Sequence, residues 1–265
     1  MKFVEPKAEI IKGIPPLQKI ALIARVCTGT QDNAESSPET ALPFLRKLVG
    51  MGHLSPFEHA RITVPLFEFK TDFYPYLTKA QLCRVGTGAG FYSINVRDYL
   101  SIDKSLERAA EREDADDCLT VCFTIDIGIA RELVRHRTMS FMERSTRWCS
   151  WSPEDGGIEF IKPEDYHESP ATETDYNHAF ELAETFYFGL LKRGAPREMA
   201  RSVLPLATAT KLYVTGTEWW WMELLRLRLG KRAHPAMRRV MKMLVEQADC
   251  PEGIRYSVNK ERLNA

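Results

Sequence analysis

Alternating apolar and polar positions mark the clearest strand in the chain. Within residues 120–127 the apolar side chains are Val121, Phe123, Ile125 and Ile127. A period of two places them on one face of an extended chain, so the segment is predicted to be a strand. Residues 211–215 are predicted to form another strand. A half-buried strand is expected where apolar and polar residues alternate at Ile62, Val64 and Leu66.

Apolar residues spaced three and four apart predict the helices. Residues 175–192, 218–229 and 235–248 show this spacing, and a shorter helix is expected after Pro196. The pairs Ser37-Pro38 and Ser55-Pro56 are typical of helix starts, because serine caps the helix and proline fits its first turn. Glu58 completes a capping box after Ser55. Residues 19–27 form an apolar element that suits either a helix or a strand.

The order of these elements predicts the fold class. Strands and helices intermix without the regular alternation of a parallel sheet, which indicates an α+β fold. Residues 70–117 are rich in polar and charged side chains, and 105–116 is expected to be a solvated helix. The glycine-rich stretch 86–90 resembles a phosphate loop, but no helix follows it, so we interpret it as a turn. We expect one domain over residues 1–265, with an enlarged insertion at about 70–117.

Composition and charge narrow the classes of function. Lys and Arg together number 36, as do Asp and Glu, and this balance argues against a general nucleic-acid binder. The chain has no run of 18 apolar residues and no signal-like start, so we expect a soluble, cytoplasmic protein without a membrane partner. Its 6 cysteines form no CxxC pair, and the histidines offer no ligand spacing, so free thiols and no metal site are expected.

The segment 135–149 holds the densest candidate chemistry. It contains four arginines, a histidine, a glutamate and several hydroxyl side chains directly after a predicted strand–helix unit. Guanidinium groups bind carboxylates and phosphates through paired hydrogen bonds, so the segment suits a planar anionic ligand such as a nucleotide. The alternative is a solvated helix face with ion pairs, for example Glu143 with Arg147 four residues later.

Four segments carry a family resemblance in a fixed order along the chain. They are His53-x-Ser55-Pro56-Phe57-Glu58-His59, then Arg135-His136-Arg137 with seven residues before Ser145, then Pro196-Arg197-Glu198-x-Ala200-Arg201-x-Val203-Leu204-Pro205, and finally Leu227-Arg228-x-x-x-Arg232-Ala233. The second segment is similar to the signature of the flavin-dependent thymidylate synthases. Together the four segments, from about residue 50 to residue 240, indicate that the chain resembles that family.

The resemblance implies a fold, an assembly and a reaction. The fold is α+β with a mostly antiparallel sheet, and the assembly is a homotetramer whose active sites lie between subunits. The reaction is reductive methylation of dUMP at C5, with FAD as cofactor and with NADPH and methylenetetrahydrofolate as co-substrates. Because a flavin supplies the redox chemistry, no cysteine nucleophile is required of the protein.

Matched positions imply the site residues. The substrate-binding residues are Glu132, Arg135, Glu143, Arg144, Ser145, Thr146, Arg147, Arg201 and Arg228. The cofactor-binding residues are Ser55, Arg135, His136, Arg137, Glu143, Thr217, Trp219 and Glu223. Arg228 is also the expected catalytic residue, because a positive charge beside the pyrimidine favours ionisation at N3.

Three of these positions depart from the family pattern. Thr217 and Trp219 stand where an asparagine and an arginine are expected, and Glu223 replaces a further asparagine. A tryptophan could stack on a flavin or adenine ring, whereas a glutamate would repel a diphosphate. Two alternatives therefore stay open. One is a related enzyme that methylates or hydroxymethylates another pyrimidine nucleotide such as UMP, and the other is a non-catalytic relative that binds nucleotides or RNA.

Overall fold

The computed structural model describes residues 1–30, 38–78, 81, 85–87, 90–115, 117–149 and 151–263. Its described strands are β1 (Lys2–Phe3), β2 (Lys7–Ile11), β3 (Arg61–Pro65), β4 (Gly86–Thr87), β5 (Phe91–Asn95), β6 (Cys118–Asp126), β7 (Ser140–Glu143), β8 (Glu159–Phe160) and β9 (Ala209–Thr217). Its longer described helices are α1 (Pro16–Val26), α2 (Pro38–Gly50), α3 (Val96–Ile102), α4 (Leu106–Ala110), α5 (Ile127–Leu133), α6 (Pro170–Lys192), α7 (Arg197–Ala200), α8 (Glu218–Arg228), α9 (Pro235–Val245) and α10 (Glu252–Leu263).

The central sheet consists of β2, β6, β9 and β7 in that order, and every neighbouring pair is antiparallel. Val121 of β6 lies opposite Val214 of β9, which also lies opposite Phe141 of β7. The two strands predicted around residues 121 and 213 are therefore the two central strands. The combination of helices with an antiparallel sheet confirms the α+β fold class.

The strand predicted over residues 120–127 ends earlier in the structure. Ile127 is not its last residue but the first residue of α5. The cause is a helix cap, because Oδ1 of Asp126 accepts a 2.8 Å hydrogen bond from the backbone N–H of Ile129. The side chain that ends β6 thus starts the helix that leads into the arginine-rich segment.

Both faces of the central sheet are covered. Val121, Phe123 and Val214 pack on one face against helices α8 and α9 in the largest hydrophobic core. Cys122 and Tyr213, on the opposite face, pack against Ile23 and Val26 of α1. The alternating pattern predicted only one apolar face, and it did not indicate that Cys122 would be buried as well.

Helix α1 resolves the ambiguous apolar element at residues 19–27 as a helix. Its residues Ile20, Ala21 and Ala24 belong to a second hydrophobic core, whereas Ile23 and Val26 face the central sheet. A helix that contributes to two cores is apolar on most of its surface, and a single amphipathic stripe is therefore absent from its sequence.

The polar segment 70–117 contributes to the second core and is more than a solvated insertion. Strands β3, β5 and β4 form an antiparallel sheet of their own, and the buried side chains of this segment include Phe73, Leu77, Ile94, Val96, Tyr99 and Leu100. The solvated helix predicted over residues 105–116 is wrong, because only Leu106–Ala110 is helical and Leu106 and Ala109 are buried. Asp116 lies outside the described residues.

The glycine-rich stretch predicted to be a turn begins with a strand instead, because Gly86 and Thr87 form β4 and pair with β5. Gly86 has a steric explanation. A side chain there would collide with the hydroxyl of Ser93 and the carboxylate of Asp117, which are hydrogen-bonded to each other. Asp117 also forms a 2.8 Å ion pair with the buried Arg61. Gly88 and Ala89 lie outside the described residues.

Two predicted details near residue 55 are wrong. Ser55 begins a 3-10 helix, Ser55–His59, but its side chain makes no cap hydrogen bond, and Glu58 forms an ion pair with Arg97 of α3 instead. Leu66 is not part of β3, because it begins a run of short helical turns and is 40% exposed. The helix start predicted at Ser37-Pro38 agrees with α2, but Ser37 lies outside the described residues.

Strand β2, near one end of the chain, contacts the segment that directly follows α9, near the other end. The side chain of Gln247 donates a 2.7 Å hydrogen bond to the backbone oxygen of Ala8 and accepts one of 3.4 Å from the N–H of Ile10.

A third core forms where α6 packs Phe180 and Tyr187 against Phe160 of β8. No helix in the described part of the chain is long and apolar enough to cross a membrane.

Candidate functional site

Arg228, in the last turn of α8, connects two segments that are far apart in sequence. Its Nε donates a 2.8 Å hydrogen bond to Nε2 of His136, and its Nη2 donates one of 2.8 Å to the backbone oxygen of Glu132. Its Nη1 lies 3.2 Å from a carboxylate oxygen of Glu132. Three residues that the sequence placed in the site are thus brought together, and the guanidinium is held in one orientation.

The hydrogen bond to Arg228 fixes the state of the His136 ring. A guanidinium only donates, so Nε2 of His136 must carry a lone pair. Partial burial lowers the pKa of His136, and the positive charge of Arg228 lowers it further. The ring is therefore neutral, with its proton on Nδ1.

The arginine-rich segment is extended and turned, not helical. Helix α5 ends at Leu133, and Ser140–Glu143 then forms the edge strand β7. A turn follows, in which the backbone oxygen of Ser145 accepts hydrogen bonds from the N–H groups of Trp148 and Cys149, at 3.2 and 2.8 Å. The predicted helical pair of Glu143 with Arg147 is therefore wrong.

Two arginines near α7 hold this turn from outside. Nη1 of Arg201 donates a 2.8 Å hydrogen bond to the hydroxyl of Thr146. Nη1 of Arg197 donates one of 2.7 Å to the backbone oxygen of Trp148. Arg201 and Thr146 were predicted to be substrate-binding residues, whereas Arg197 was not. The spacing of four residues between the two arginines is the signal that they share a face.

Glu143, the last residue of β7, and Arg144, which follows it, lie in different surroundings. Burial raises the pKa of the Glu143 carboxyl, while the Thr210 hydroxyl and the Arg131 guanidinium act in the opposite direction. Arg144 lies 3.5 Å from the carboxylate of Glu159, and its guanidinium lies 5.3 Å from the centre of the Trp151 ring. The contacts of Arg144 are thus with the third core, not with the Arg228 group.

The remaining predicted cations lie on the surface. Arg135, Arg137 and Arg147 are exposed, as is Ser55. Within the described part of the chain, none of these three arginines forms an ion pair. Exposed and unpaired guanidinium groups beside an ordered turn are suited to bind phosphate.

The three positions that depart from the family pattern lie at or in α8. Thr217 and Trp219 are at its start, and Glu223 is further along it. Thr217 is the residue before the helix, and it lines a narrow crevice together with Glu58, Thr138 and Trp220. Two of the four resembling segments, through Glu58 and Thr138, therefore line this crevice. Glu223 forms a 2.9 Å ion pair with Arg226 one turn later, so its charge is offset within the helix.

The three adjacent tryptophans have three environments. Trp221 is fully buried, and its Nε1 donates a 2.9 Å hydrogen bond to the backbone oxygen of Leu119. Trp220 lines the crevice, and Trp219 is 61% exposed. The three adjacent rings therefore do not all face inward.

A buried polar chain, which sequence reasoning missed, lies behind the crevice. Nδ1 of His59 is 2.8 Å from the hydroxyl of Thr215, which in turn is 2.8 Å from the hydroxyl of Thr120. The pKa of His59 is lowered to about 3, mainly by burial and also by the charge of Lys19, while a backbone contact with Phe141 acts in the opposite direction. His59 is therefore neutral and serves to join the 3-10 helix to the central sheet.

An antiparallel sheet with an arginine-bearing turn at its edge defines an α+β protein suited to an anionic ligand. The chain belongs to the family described as thymidylate synthase complementing protein, whose sequence model matches residues 9–84 and 117–252. Residues 85–116 thus fall outside the match. The chain is 30% identical over 142 residues to a flavin-dependent thymidylate synthase of Thermococcus kodakarensis, a stretch that covers 54% of this chain and 55% of that protein.

The chain is also similar to solved structures of a UMP/dUMP methylase, PolB, from Streptomyces cacaoi. The complex with 5-Br dUMP has a TM-score of 0.50 at 20% identity and covers 98% of this chain and 97% of that chain. The complex with 5-Br UMP has a TM-score of 0.51 at 19% identity and covers 98% and 96%. At this level of identity the likeness establishes a shared fold.

Proposed function

We propose that this protein is a flavin-dependent enzyme that methylates C5 of a uracil nucleotide, with dUMP as substrate. In this proposal methylenetetrahydrofolate gives the one-carbon unit and NADPH gives the reducing equivalents. The observation that carries the proposal is the contact of Arg228 with both Glu132 and His136. His136 and Arg228 come from two of the resembling segments, and the family pattern requires a positioned positive charge there.

Arg228 is proposed to act on the pyrimidine ring. Its side chain is 20% exposed, and three of its nitrogens lie at hydrogen-bond or ion-pair distance from His136 or Glu132. A guanidinium fixed in this way needs no reorganisation when negative charge develops at N3 and O2 of the ring. The neutral His136 contributes by orienting Arg228 without adding a competing positive charge.

The turn after β7 is proposed to hold the nucleotide phosphate. Arg201 donates a 2.8 Å hydrogen bond to Thr146, and the hydroxyl of Ser145 accepts one of 3.3 Å from the backbone N–H of Arg147. Arg135 is exposed on the loop before the same strand. Converging cationic donors of this kind bind a phosphate dianion through charge-assisted hydrogen bonds. Glu143 and Arg144, which the family pattern also implies, flank this turn.

The residues present fit a flavin. Arg137 is exposed and has no ion pair in the described part of the chain, Thr217 lies at the crevice, and Trp219 offers an exposed aromatic face. Glu223 does not oppose a diphosphate with a full charge, because Arg226 pairs with it. Ser55 and His136 complete the proposed cofactor contacts. Bound FAD would supply the hydride chemistry that the side chains themselves lack.

The assembly and location are proposals of the same kind. Trp148, Met199 and Val203 are 65%, 64% and 36% exposed, and they lie on or beside the two segments that Arg197 and Arg201 join. Apolar exposure next to the substrate turn supports active sites that lie between the subunits of a homotetramer. Sedimentation equilibrium tests this assembly, and a monomer at all concentrations would contradict it. The chain is proposed to act as one domain in the cytoplasm, where both co-substrates are formed.

UMP is the second candidate substrate. The observation that favours it is the likeness in fold to a methylase whose structures contain 5-Br dUMP and 5-Br UMP. Both nucleotides present the same ring to Arg228 and the same phosphate to Arg201, so these contacts do not distinguish them. The proposal for dUMP rests on the relatives named flavin-dependent thymidylate synthase.

Release of tritium from C5-labelled nucleotide tests both candidates. The protein is incubated with FAD, NADPH, methylenetetrahydrofolate and either labelled dUMP or labelled UMP. We expect release from dUMP, loss of release in Arg228→Ala, and retention in the control Arg46→Ala, whose guanidinium pairs with Glu107 on the surface. Release from UMP alone would replace the first candidate by the second. A colourless protein that takes up no FAD and releases no tritium would favour the non-catalytic nucleotide-binding relative.

A further inference from the structure

The segment 85–116 contributes one wall of the crevice at the start of α8. Asn95, the last residue of β5, lines this crevice and belongs to the segment that the family's sequence model does not match. The next residue, Val96, begins α3, and its N–H donates a 3.0 Å hydrogen bond to the backbone oxygen of Ala60. The start of α3 is therefore fixed against the end of the 3-10 helix Ser55–His59.

Arg97 connects this unmatched segment to the first of the four resembling segments. It lies in the first turn of α3, and its guanidinium forms an ion pair with the carboxylate of Glu58. The side chain of Glu58 is 22% exposed and lines the crevice, whereas that of Arg97 is 46% exposed and is not among the described residues that line it. Arg97 therefore acts on the crevice through Glu58.

Glu58 sets the charge that a ligand meets in the crevice. Among the described residues that line it, Glu58 and Arg61 are the two with charged side chains. Arg61 is buried, and its charge is offset by Asp117 at 2.8 Å. Burial raises the pKa of the Cys118 thiol to about 12, so this thiol is neutral. The one charge that remains to be offset is that of Glu58, and Arg97 offsets it.

We propose that Arg97 is a positioning residue that holds the Glu58 carboxylate away from the ligand in the crevice. The ligand is a flavin, so this role rests on the proposed function. Without Arg97 the Glu58 side chain is free to turn toward Thr217, where its negative charge opposes an anionic cofactor. Negative charge beside a flavin also disfavours the gain of electrons. The role of Arg97 is therefore expected to be visible in both the affinity and the reduction potential of the flavin.

The exposure of the pair distinguishes this role from a structural one. An ion pair between partly exposed side chains contributes little to the free energy of unfolding. Loss of Arg97 is therefore expected to change the properties of the bound flavin and to leave the urea midpoint at the native value. A residue that only stabilised the fold would change the urea midpoint and leave the potential of the bound flavin unchanged.

Titration of the full chain with FAD tests the proposal, with quenching of flavin fluorescence as the signal. We expect saturable binding to the native protein and about fivefold weaker binding to Arg97→Gln, the scale typical of one exposed ion pair. The midpoint potential of the bound flavin, measured by equilibration with a redox dye, is expected to become more negative in Arg97→Gln. Arg97→Lys keeps the positive charge and is expected to restore most of both properties. Urea unfolding of each variant checks that it folds.

Glu58→Gln separates positioning from a direct effect of the Arg97 charge. In the Glu58→Gln background, Arg97→Gln is expected to change FAD affinity by less than about twofold, because no carboxylate remains to be held. Equal losses of affinity in the two backgrounds would overturn the proposal.

Arg46→Gln is the matched control. It removes another exposed arginine that pairs with the unmatched segment, through Glu107, but it does not line the crevice, so we expect native FAD affinity. A native protein that takes up no FAD would overturn both this inference and the proposed function. Native FAD uptake and tritium release, with the same affinity and potential in Arg97→Gln, would overturn this inference alone.

Discussion

Nε of Arg228 donates a 2.8 Å hydrogen bond to Nε2 of His136, so a charged guanidinium is bonded to a neutral imidazole. The bond exists only while the imidazole is neutral, because a protonated ring has no lone pair to offer. Protonation of His136 would therefore remove this hydrogen bond, while the contacts of Arg228 with Glu132 do not depend on it. Both residues come from resembling segments that are far apart in sequence.

Arg228→Lys should separate charge from geometry. Lysine keeps the positive charge but cannot reach His136 and Glu132 with a planar fork of donors. We expect turnover with dUMP to fall about tenfold in Arg228→Lys and about 100-fold or more in Arg228→Ala, as is typical for loss of a positioned donor. Steady-state kinetics provides the measurement. Equal turnover in native protein and Arg228→Ala would remove Arg228 from the chemistry.

The acid limb of the pH–rate profile should depend on His136. Burial lowers the pKa of this ring below that of a free histidine. The bond to Arg228 is then fully present above the pKa of the free ring and is lost as the pH falls through the lowered pKa. His136→Asn supplies an acceptor that does not titrate, so we expect its acid limb to flatten. An unchanged limb would assign it to another group.

His59 should make the free energy of unfolding depend on pH. Its pKa is lowered to about 3, so the folded protein binds the proton less readily than the unfolded chain. The contribution is fully present above the unfolded pKa of roughly 6.5 and is lost as the pH falls toward 3, by at most about 1.4 kcal/mol per pH unit. Urea unfolding of native protein and His59→Gln from pH 7 to pH 4 measures the difference. Parallel curves for the two proteins would contradict the assignment.

Thr146→Val should affect binding more than turnover. The hydroxyl of Thr146 accepts from Arg201, and the turn that carries Ser145 and Arg147 is held by this contact. Loss of one such hydrogen bond costs about 1 kcal/mol, which corresponds to roughly fivefold. We expect KM for dUMP to rise by that factor while kcat stays within about twofold. A selective fall in kcat would instead place Thr146 in the chemical step.

The two tryptophans at 219 and 221 should differ in their effect on stability. Trp221 is fully buried and donates to the backbone oxygen of Leu119, so Trp221→Phe removes packing and leaves that oxygen unpaired. We expect a loss of about 2–3 kcal/mol in the free energy of unfolding. Trp219→Phe changes an exposed side chain and should stay within about 0.5 kcal/mol. Urea unfolding of both variants decides the point.

Local periodicity predicted the type of several elements. The strand at 211–215 and the helices at 175–192, 218–229 and 235–248 are present with boundary shifts of a few residues. The prediction was ambiguous for one helix and wrong for one segment. Helix α1 serves two cores, so its apolar pattern has no single stripe. Segment 70–117 looked polar because its buried residues are spread over short strands and turns.

The site was predictable as a set of residues but not as an arrangement. The family resemblance named Glu132, His136 and Arg228, but no periodicity could place the end of α8 beside the end of α5. The helical interpretation of Glu143 and Arg147 failed because β9 pairs with the edge strand β7, and this pairing overrides local helix preference. Arg97 was missed as the partner of Glu58 because it comes from a different segment.

The contact of Gln247 with β2 has a consequence for how the protein is made. Strand β2 is synthesised well before its partner, because the side chain that bonds Ala8 and Ile10 follows 239 and 237 residues later. Strand β6, its neighbour in the sheet, is also more than 100 residues away. During synthesis the backbone N–H and C=O groups of β2 therefore lack these partners for roughly 10–50 s at ordinary elongation rates. In that time they can pair with other chains. Chaperone dependence of the nascent chain is the expected result.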